Sequence, residues 1–520
     1  MGKTAGAGKR VVMLNFFKKP LIRGGVHATE HKAETAGKAI FCDFPLPSKL
    51  YIPLQQHVGK PAEPLIKVGD HVLKGQLLAY SQGLISAPIH APTSGIIVDV
   101  SDYPAPHPSA LPIRTVVLAS DGQEKWQKFP VVPDPFALDP EEISLRVGAA
   151  GIVGLGGATF PSAVKLSQGR RNKVHTLLIN GGECEPYLTC DDRLMQERPA
   201  QVIDGIRIML HGLGAAKAIV AIEDNKPDAF AAMTAAAQAY PQISVVQVPT
   251  RYPMGWDRQL IRYLMGQEVP AESRSTDVGV TMHNVGTAYA THRALRTGQP
   301  LISKIVTVAG SAVAKPMNIE VLIGTLISEV LDFCGADHSE TARLVMGGPM
   351  MGEALPHPAV PIVKGSSGIL ALGATEIKST VEQACIRCGS CVNACPAGLL
   401  PLEMMSRIKN NQLEAAVGFG LKDCISCGSC SYVCPSNIPL VHYFKYASGE
   451  LAARQQAQHK TEQTKRLMQD KQARLERIKK QQDEEMRQMQ LEKQQRELAK
   501  AAAAAAEAEA AQTAQTEVTS

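Results

Sequence analysis

Short apolar runs broken by turn residues make up the first readable region of the chain. Across residues 51–118, Val68-Gly69-Asp70-His71-Val72, Lys74-Gly75-Gln76-Leu77-Leu78-Ala79 and Ala91-Pro92-Thr93-Ser94-Gly95-Ile96-Ile97-Val98 predict short strands joined by Gly-Asp and Ser-Gly turns. That pattern belongs to a small β sandwich or barrel. Farther on, the period alternates. Residues 174–179 read as a strand, 199–211 as a helix with Val202, Ile203, Ile206, Met209 and Leu210 on one face, and 218–222 as a strand. A helix at 227–240 and a strand at 243–248 follow. This βαβα order predicts a mostly parallel sheet covered by helices, whose ligands bind beyond the carboxyl ends of the strands. Past Glu450 the chain turns to Gln, Lys, Arg, Glu and Ala. Leu467, Ile478 and Met489 recur every eleven residues, with Leu475 and Met486 interleaved. Such a stripe predicts a long solvated helix that gives way to a disordered Ala-rich end after Ala501.

Composition sets the scale. At 520 residues the chain has room for several domains of roughly 150 residues each, and 45 % hydrophobic content with 43 Gly and 34 Pro fits compact cores joined by many turns. No continuous apolar run reaches the roughly 18 residues a membrane span needs. The apolar patch from Val11 to Phe17 is too brief for a signal peptide, which predicts a cytoplasmic protein with reduced thiols. The net charge is +5, and between Lys460 and Lys500 12 Lys and Arg face 8 Asp and Glu, so this part of the tail is basic. The folded part shows no basic face interleaved with aromatics, so nucleic acid is not an expected partner.

Eight of the 12 cysteines carry the strongest chemical signal. The chain reads Cys385-Ile-Arg-Cys388-Gly-Ser-Cys391-Val-Asn-Ala-Cys395-Pro396, then Cys424-Ile-Ser-Cys427-Gly-Ser-Cys430-Ser-Tyr-Val-Cys434-Pro435. This is the C-x2-C-x2-C-x3-C-P run of bacterial ferredoxins written twice, in which the fourth cysteine of each run serves the other cluster. The expectation is two [4Fe-4S] clusters, one on Cys385, Cys388, Cys391 and Cys434, the other on Cys424, Cys427, Cys430 and Cys395. Two-residue gaps let three thiolates converge from one tight loop. Gly389 and Gly428 let the backbone bend there, and Pro396 and Pro435 turn the chain away. Zinc sites close with two pairs of ligands and have no use for this tandem. Cys42, Cys184, Cys190 and Cys334 read as buried or loop thiols.

A second signal lies in the alternating region. Gly151-Ile-Val-Gly154-Leu-Gly156-Gly157-Ala158-Thr159-Phe160-Pro161-Ser162-Ala163-Val164-Lys165 is a glycine-rich loop entering a helix. Its amides and helix N-terminus suit a phosphate, and Lys165 adds charge; a tight structural turn is the alternative. After the next strand comes the acidic turn Asn180-Gly-Gly-Glu183-Cys-Glu185-Pro186. Near the start, Gly24-Gly25-Val-His27-Ala-Thr-Glu30-His31-Lys32 reads as a polar loop, its histidines surface groups rather than metal ligands.

These motifs carry resemblances. Residues 51–120 resemble the biotinyl/lipoyl carrier fold, but the segment Leu84-Ile85-Ser86-Ala87-Pro88-Ile89-His90, where a carrier's modified lysine sits, contains none; the module is expected to be structural. The glycine-rich loop with Lys165, the acidic turn, and Val280-Thr-Met-His-Asn284-Val285-Gly-Thr287 look like the FMN and NADH site of the FMN-bearing subunit of respiratory complex I. That resemblance implies FMN held by Gly154, Gly156, Gly157 and Lys165 at its phosphate, with Asn180 and Asn284 as polar contacts. It directs Glu183 and Glu185 to the nicotinamide nucleotide as catalytic residues, and puts Asp257, in Tyr252-Pro-Met-Gly255-Trp-Asp257, in the same pocket. Leu155 stands where that family usually has arginine, and Thr159 where it often has glycine.

Residues 304–334 look like a β-grasp module of the soluble-ligand-binding (SLBB) kind. The whole order, over about residues 18–449, resembles the C subunit of the Rnf-type (Rsx) ion-translocating electron transport complex, with Ala28-Thr29 where that family commonly has two prolines. The expected architecture is α/β multidomain: an N-terminal segment (1–50), a carrier-like β module (51–120), a Rossmann-like flavin and nucleotide domain (135–300), a β-grasp module (301–365), a two-cluster ferredoxin domain (375–448) and a tail (450–520). NADH gives two electrons as a hydride and a [4Fe-4S] cluster takes one at a time, so a flavin between them makes mechanistic sense. The resemblance implies an NADH-dependent oxidoreductase subunit lying peripherally on the cytoplasmic face of the bacterial inner membrane. Its implied partners are membrane-embedded subunits of the same complex, with ferredoxin or another low-potential carrier as the far partner. The competing reading is a non-catalytic iron–sulfur relay or docking adaptor in which the flavin fold survives only as scaffold.

Overall fold

In the computed structural model, residues 22–130, 132–377 and 381–517 are described, and the patch at 11–17 lies outside the described residues. The chain divides after Phe444 into two units. In the first, an N-terminal arm with one short helix, Ala33–Ala36 (α1), crosses the domain surfaces. It bridges Val26 to Tyr252 and Phe41 to Ile319.

Seven strands follow: Lys49–Pro53 (β1), Glu63–Pro64 (β2), His71–Val72 (β3), Leu77–Tyr80 (β4), Ile89–His90 (β5), Gly95–Pro104 (β6) and Pro112–Ser120 (β7). They build two antiparallel sheets, ordered β1-β7-β6-β3 and β2-β4-β5. In β6 Ile97 is buried while Ile96 and Val98 are exposed, the period-two alternation of a strand with one face on a core. That core gathers Leu50, Ile52, Val72, Leu78, Ile89, Ile97, Val116 and Leu118. Residues 86–90 are buried, so the segment that would carry a swinging lysine is packed in place.

The central domain comprises Pro140–Ala149 (α2), Ser162–Arg171 (α3), Thr176–Gly181 (β8), Cys190–Glu197 (α4), Pro199–Leu213 (α5), Lys217–Glu223 (β9), Pro227–Ala237 (α6), Ile243–Val248 (β10), Asp257–Met265 (α7), Val280–Asn284 (β11) and Val285–Thr297 (α8). Its sheet runs β10-β9-β8-β11, every pairing parallel. β8 is buried nearly throughout, as expected for a parallel strand covered on both faces. The predicted face of α5, Val202, Ile203, Ile206, Met209 and Leu210, packs into the core with Leu177, Ile179, Val220 and Ile222.

The third layer holds Ser303–Ala309 (β12), Met317–Leu322 (β13), Ile327–Phe333 (α9), Thr341–Met346 (β14), Glu353–Leu355 (β15) and Gly368–Gly373 (β16), ordered β13-β12-β16-β14-β15. This sheet extends past residue 365. β16 lies beyond it and is central to the sheet, buried on both faces, so the module cannot close without it. Ser390–Ala394 (α10), Pro401–Lys409 (α11), Leu413–Gly418 (α12), Ser429–Tyr432 (α13) and the start of Leu440–Glu517 (α14) enclose the cysteines.

In the second unit α14 continues, exposed from Ala452 to Ala511. The predicted loss of order after Ala501 does not occur. The helix runs on through residues 501–506, all alanine, the residue with the highest intrinsic helix propensity.

Candidate functional site

Two asparagines end adjacent parallel strands in register, Asn180 on β8 opposite Asn284 on β11. Each turns the chain with its own side chain: Asn180 Oδ1 accepts from Gly182 N–H at 2.9 Å, and Asn284 Oδ1 from Gly286 N–H at 2.8 Å. Their amide groups are also engaged, Asn180 Nδ2 donating to Gly255 O at 3.1 Å and Asn284 Nδ2 to Asp191 at 2.6 Å.

The glycine-rich loop abuts this row. A Cβ on Gly156 would stand 3.3 Å from that of Asn284, whereas one on Gly157, at φ +102, would meet nothing within 4 Å. Leu155 is clamped on both sides of its peptide, its N–H donating to Thr287 Oγ1 at 3.0 Å and its carbonyl accepting from Lys304 Nζ at 3.2 Å. Its side chain is buried in the core, which accounts for an apolar residue there. Lys165 on α3 donates to Met282 O at 3.0 Å. Burial lowers its pKa, and the charge of Asp257 opposes that shift. Asp257 opens α7 and accepts from Arg258 N–H at 2.8 Å. Next to Lys165, His283 is kept neutral by burial and by the lysine charge. Both its ring nitrogens, and the buried Ser162 Oγ at the start of α3, lack partners among the described residues.

The acidic turn is more occupied than its sequence implied. Glu183 Oε1 accepts from Asp191 N–H at 3.0 Å and from Cys190 Sγ at 3.2 Å, and Oε2 from Asp192 N–H at 3.2 Å. It thus caps α4, where a carboxylate offsets the unpaired amides. Burial, and then the charge of Asp191, raise its pKa, with Lys32 and Lys226 opposing. Glu185 holds the loop after β14 instead, accepting from Met350 N–H at 3.0 Å and Met351 N–H at 2.9 Å. Burial pushes its pKa up to about 7. Backbone amides thus engage the oxygens of both carboxylates that the resemblance directs to the nicotinamide nucleotide.

A cavity of about 330 Å³ opens beside this turn. It is lined by the N-terminal arm (Val26, His27, Glu30, Lys32), by Glu183, Cys184 and Pro186, by residues 223–225 after β9, and by Thr250 and Tyr252. The glycine-rich loop is not part of that lining, but the row Gly156, Asn284, Asn180, Gly182, Glu223 runs from one to the other along the carboxyl ends of the sheet. Lys32 donates to Glu183 O. His31 stacks on Tyr187 with ring centroids 4.7 Å apart and is exposed, as the surface reading predicted.

The eight cysteines separate into two groups of four. Cys385, Cys388, Cys391 and Cys434 line one cavity with Leu402 and Met405, and Cys395, Cys424, Cys427 and Cys430 line another with Met404 and Phe444. Gly389 and Gly428 both adopt positive φ, 76° and 81°, which suits glycine at these bends. All 12 cysteines are free thiols. The second group lies next to the large cavity: Tyr252 donates to Cys427 O at 2.6 Å, and Val26, Tyr252, Cys184, Met350 and Cys427 pack together.

Several site residues left no sequence signal. Lys364, fully buried, donates to Gly151 O at 2.6 Å and Pro88 O at 2.9 Å, tying three domains at the root of the glycine-rich loop. Burial lowers its pKa to about 7. Lys32, Glu223 and Tyr252 are likewise brought to the cavity by contacts remote in sequence, which no local pattern announces.

Family models match four parts of the chain: an RnfC barrel sandwich hybrid domain over 21–123, the Nuo51 FMN-binding domain over 147–293, an SLBB domain over 305–354 and a 4Fe-4S dicluster domain over 384–438. Together with the site they define a multidomain electron-transfer protein with FMN-binding and iron–sulfur domains. The C subunit of the ion-translocating oxidoreductase complex of Rhodobacter capsulatus is 50 % identical over 439 residues, 84 % of either chain. Its counterpart in Pseudomonas aeruginosa is 47 % identical over 434 residues, 83 % of this chain and 56 % of that protein. The chain belongs to the family formed by the C subunits of ion-translocating oxidoreductase complexes. A solved NAD+-reducing [NiFe]-hydrogenase in the air-oxidized state aligns over 56 % of this chain and 60 % of its own, at 20 % identity and a TM-score of 0.44. Among the described residues no helix is long and apolar enough to cross a membrane.

The residues present fit both cofactors. Open space at Gly157, the unpartnered Ser162 Oγ and the Lys165 ammonium suit a phosphate, and two cavities each walled by four thiols suit cubane clusters.

Proposed function

We propose that this chain is the electron-input subunit of its complex, exchanging electrons between NADH and two [4Fe-4S] clusters by way of FMN. When bound, FMN supplies the step between a two-electron hydride carrier and one-electron centres. Gly157, Ser162 and Lys165 receive its phosphate, and Asn180 and Asn284 hold the strand ends that shape the site. Glu183 and Glu185 act as positioning residues, the first fixing the cavity wall and the second the Met350 loop. Cys385, Cys388, Cys391 and Cys434 ligate one cluster; Cys424, Cys427, Cys430 and Cys395 ligate the other. The chain lies on the cytoplasmic face of the membrane, held by the embedded subunits, with ferredoxin or another low-potential carrier as the far redox partner.

The observation that carries this reading is Tyr252, which lines the large cavity and donates to the backbone of Cys427. Buried, hydrogen-bonded contact keeps two redox sites at a fixed separation. The test is anaerobic purification of the full chain followed by iron, sulfide and flavin assays per polypeptide. One FMN with about eight irons supports the proposal. Cluster iron without flavin supports the adaptor.

A further inference from the structure

Two ionic groups in the large cavity are not used up by the fold. Glu223, fully buried at the carboxyl end of β9, accepts from Lys226 Nζ at 2.5 Å through Oε2, while Oε1 has no hydrogen-bond partner among the described residues. A buried carboxylate oxygen left without a partner is costly, and Glu223 stands in the wall of the cavity. Lys32 reaches the same cavity from the arm. Its ammonium carries three N–H groups, one of which goes to Glu183 O. Burial and then the charge of Lys226 lower its pKa, and the charges of Glu183 and Glu223 oppose that shift. The cavity wall therefore holds an unpartnered acceptor and a lysine ammonium.

A ligand edge that answers this pair needs a donor N–H flanked by carbonyl acceptors. The imide edge of an isoalloxazine ring has that order, carbonyl, N–H, carbonyl, in one plane. A ribose diol offers hydroxyls but no flanking carbonyl for the ammonium. We infer that Glu223 and Lys32 read the imide edge of the flavin, Glu223 Oε1 accepting from the ring N3–H and Lys32 Nζ donating to a neighbouring ring carbonyl. This rests on the proposal that the chain binds FMN by its phosphate at the glycine-rich loop, with the ring reaching this cavity along the row Gly156, Asn284, Asn180, Gly182, Glu223. Lys32 also places a positive charge against the part of the ring that gathers electron density on reduction, which favours the reduced form.

The test uses the full chain, purified anaerobically, freed of flavin and titrated with FMN and with 3-methyl-FMN, in which N3 bears a methyl instead of hydrogen. Binding is read by flavin fluorescence, and cluster iron reports that each variant is folded. The unaltered chain is expected to prefer FMN by roughly tenfold or more, the worth of a hydrogen bond to a charged group. In Glu223→Gln, Lys226 still claims the remaining oxygen, so the amide NH2 faces the ring. FMN affinity should fall about as far, and the preference should vanish. Lys32→Met should weaken both ligands and lower the flavin midpoint potential, a readout that needs no Glu223 variant. An unaltered chain that binds both ligands equally, or a preference undiminished in Glu223→Gln, overturns the inference. So does a Glu223→Gln chain whose defect is confined to NADH affinity, which would assign the carboxylate to a ribose. An unaltered chain that takes up no FMN is a distinct result: it overturns the parent proposal, and this inference with it.

Discussion

The phenolic hydroxyl of Tyr252 donates to the carbonyl oxygen of Cys427 across 2.6 Å, joining a cavity-lining residue to a cysteine loop 175 positions away in the chain. Burial, and then the charge of Glu185, raise the phenol pKa far above its ordinary value, so it remains a donor at any working pH. Tyr252→Phe keeps the ring and bares the Cys427 carbonyl. A loss of about 1–3 kcal/mol in stability is expected, measured by denaturant titration. The electron paramagnetic resonance signal of the cluster on the Cys427 group should change while the other cluster's signal does not.

The two cysteine groups line separate cavities, so each should fail alone. Cys388→Ser and Cys427→Ser should each lower iron by roughly half, as expected for two clusters of equal size, and leave flavin content near that of the parent chain. Iron analysis with the paramagnetic spectra of both variants checks this. Total iron loss in Cys388→Ser would mean that the sites are not independent.

Lys165 is buried, donates to a backbone carbonyl and has Asp257 as its counter-charge. Lys165→Met removes the cation from the proposed phosphate site. Flavin affinity should fall on the order of 10–100-fold, the worth of a charge-assisted hydrogen bond. Equilibrium dialysis with FMN and with riboflavin checks it: riboflavin, lacking the phosphate, should bind parent and variant about equally.

Glu185 has a folded-state pKa of about 7 against an ordinary 4.5, through burial. The folded protein therefore holds this proton more tightly than the unfolded chain does. Stability should decline as pH rises from about 4.5 to about 7, with a slope approaching 1.4 kcal/mol per pH unit from this group. Glu185→Gln lacks the titrating proton and should lose that part of the slope. Urea unfolding of the two proteins at several pH values in that window gives the comparison.

Much of the fold is visible in local patterns because its causes are local. The strands near 174–179, 218–222 and 243–248 and the apolar face of α5 follow from period alone, and the cysteine groups from ligand spacing that a single loop must satisfy. Gly368–Gly373 escapes because a short run buried on both faces has no alternation to reveal it. The long helix past Ala501 escapes because alanine's propensity weighs against low complexity. In the site, Asn180 and Asn284 stand in register at neighbouring strand ends, and Lys165 reaches β11 through Met282 O. Glu185 does not face the cavity, since its partners Met350 and Met351 lie on a loop 165 residues later. Lys32 and Lys364 are surface-like residues by type, and contacts over 151 and 213 positions half-bury the first and fully bury the second.

Anaerobic stopped-flow mixing of the purified chain with NADH tests the central claim, that the cavity and the Cys427 group form one electron path. The account predicts that flavin absorbance bleaches first and cluster absorbance follows within the same turnover, with the second phase slowed in Tyr252→Phe. Flavin bleaching with clusters that stay oxidised despite a potential sufficient to reduce them, or clusters reduced by NADH in flavin-free protein, would contradict it.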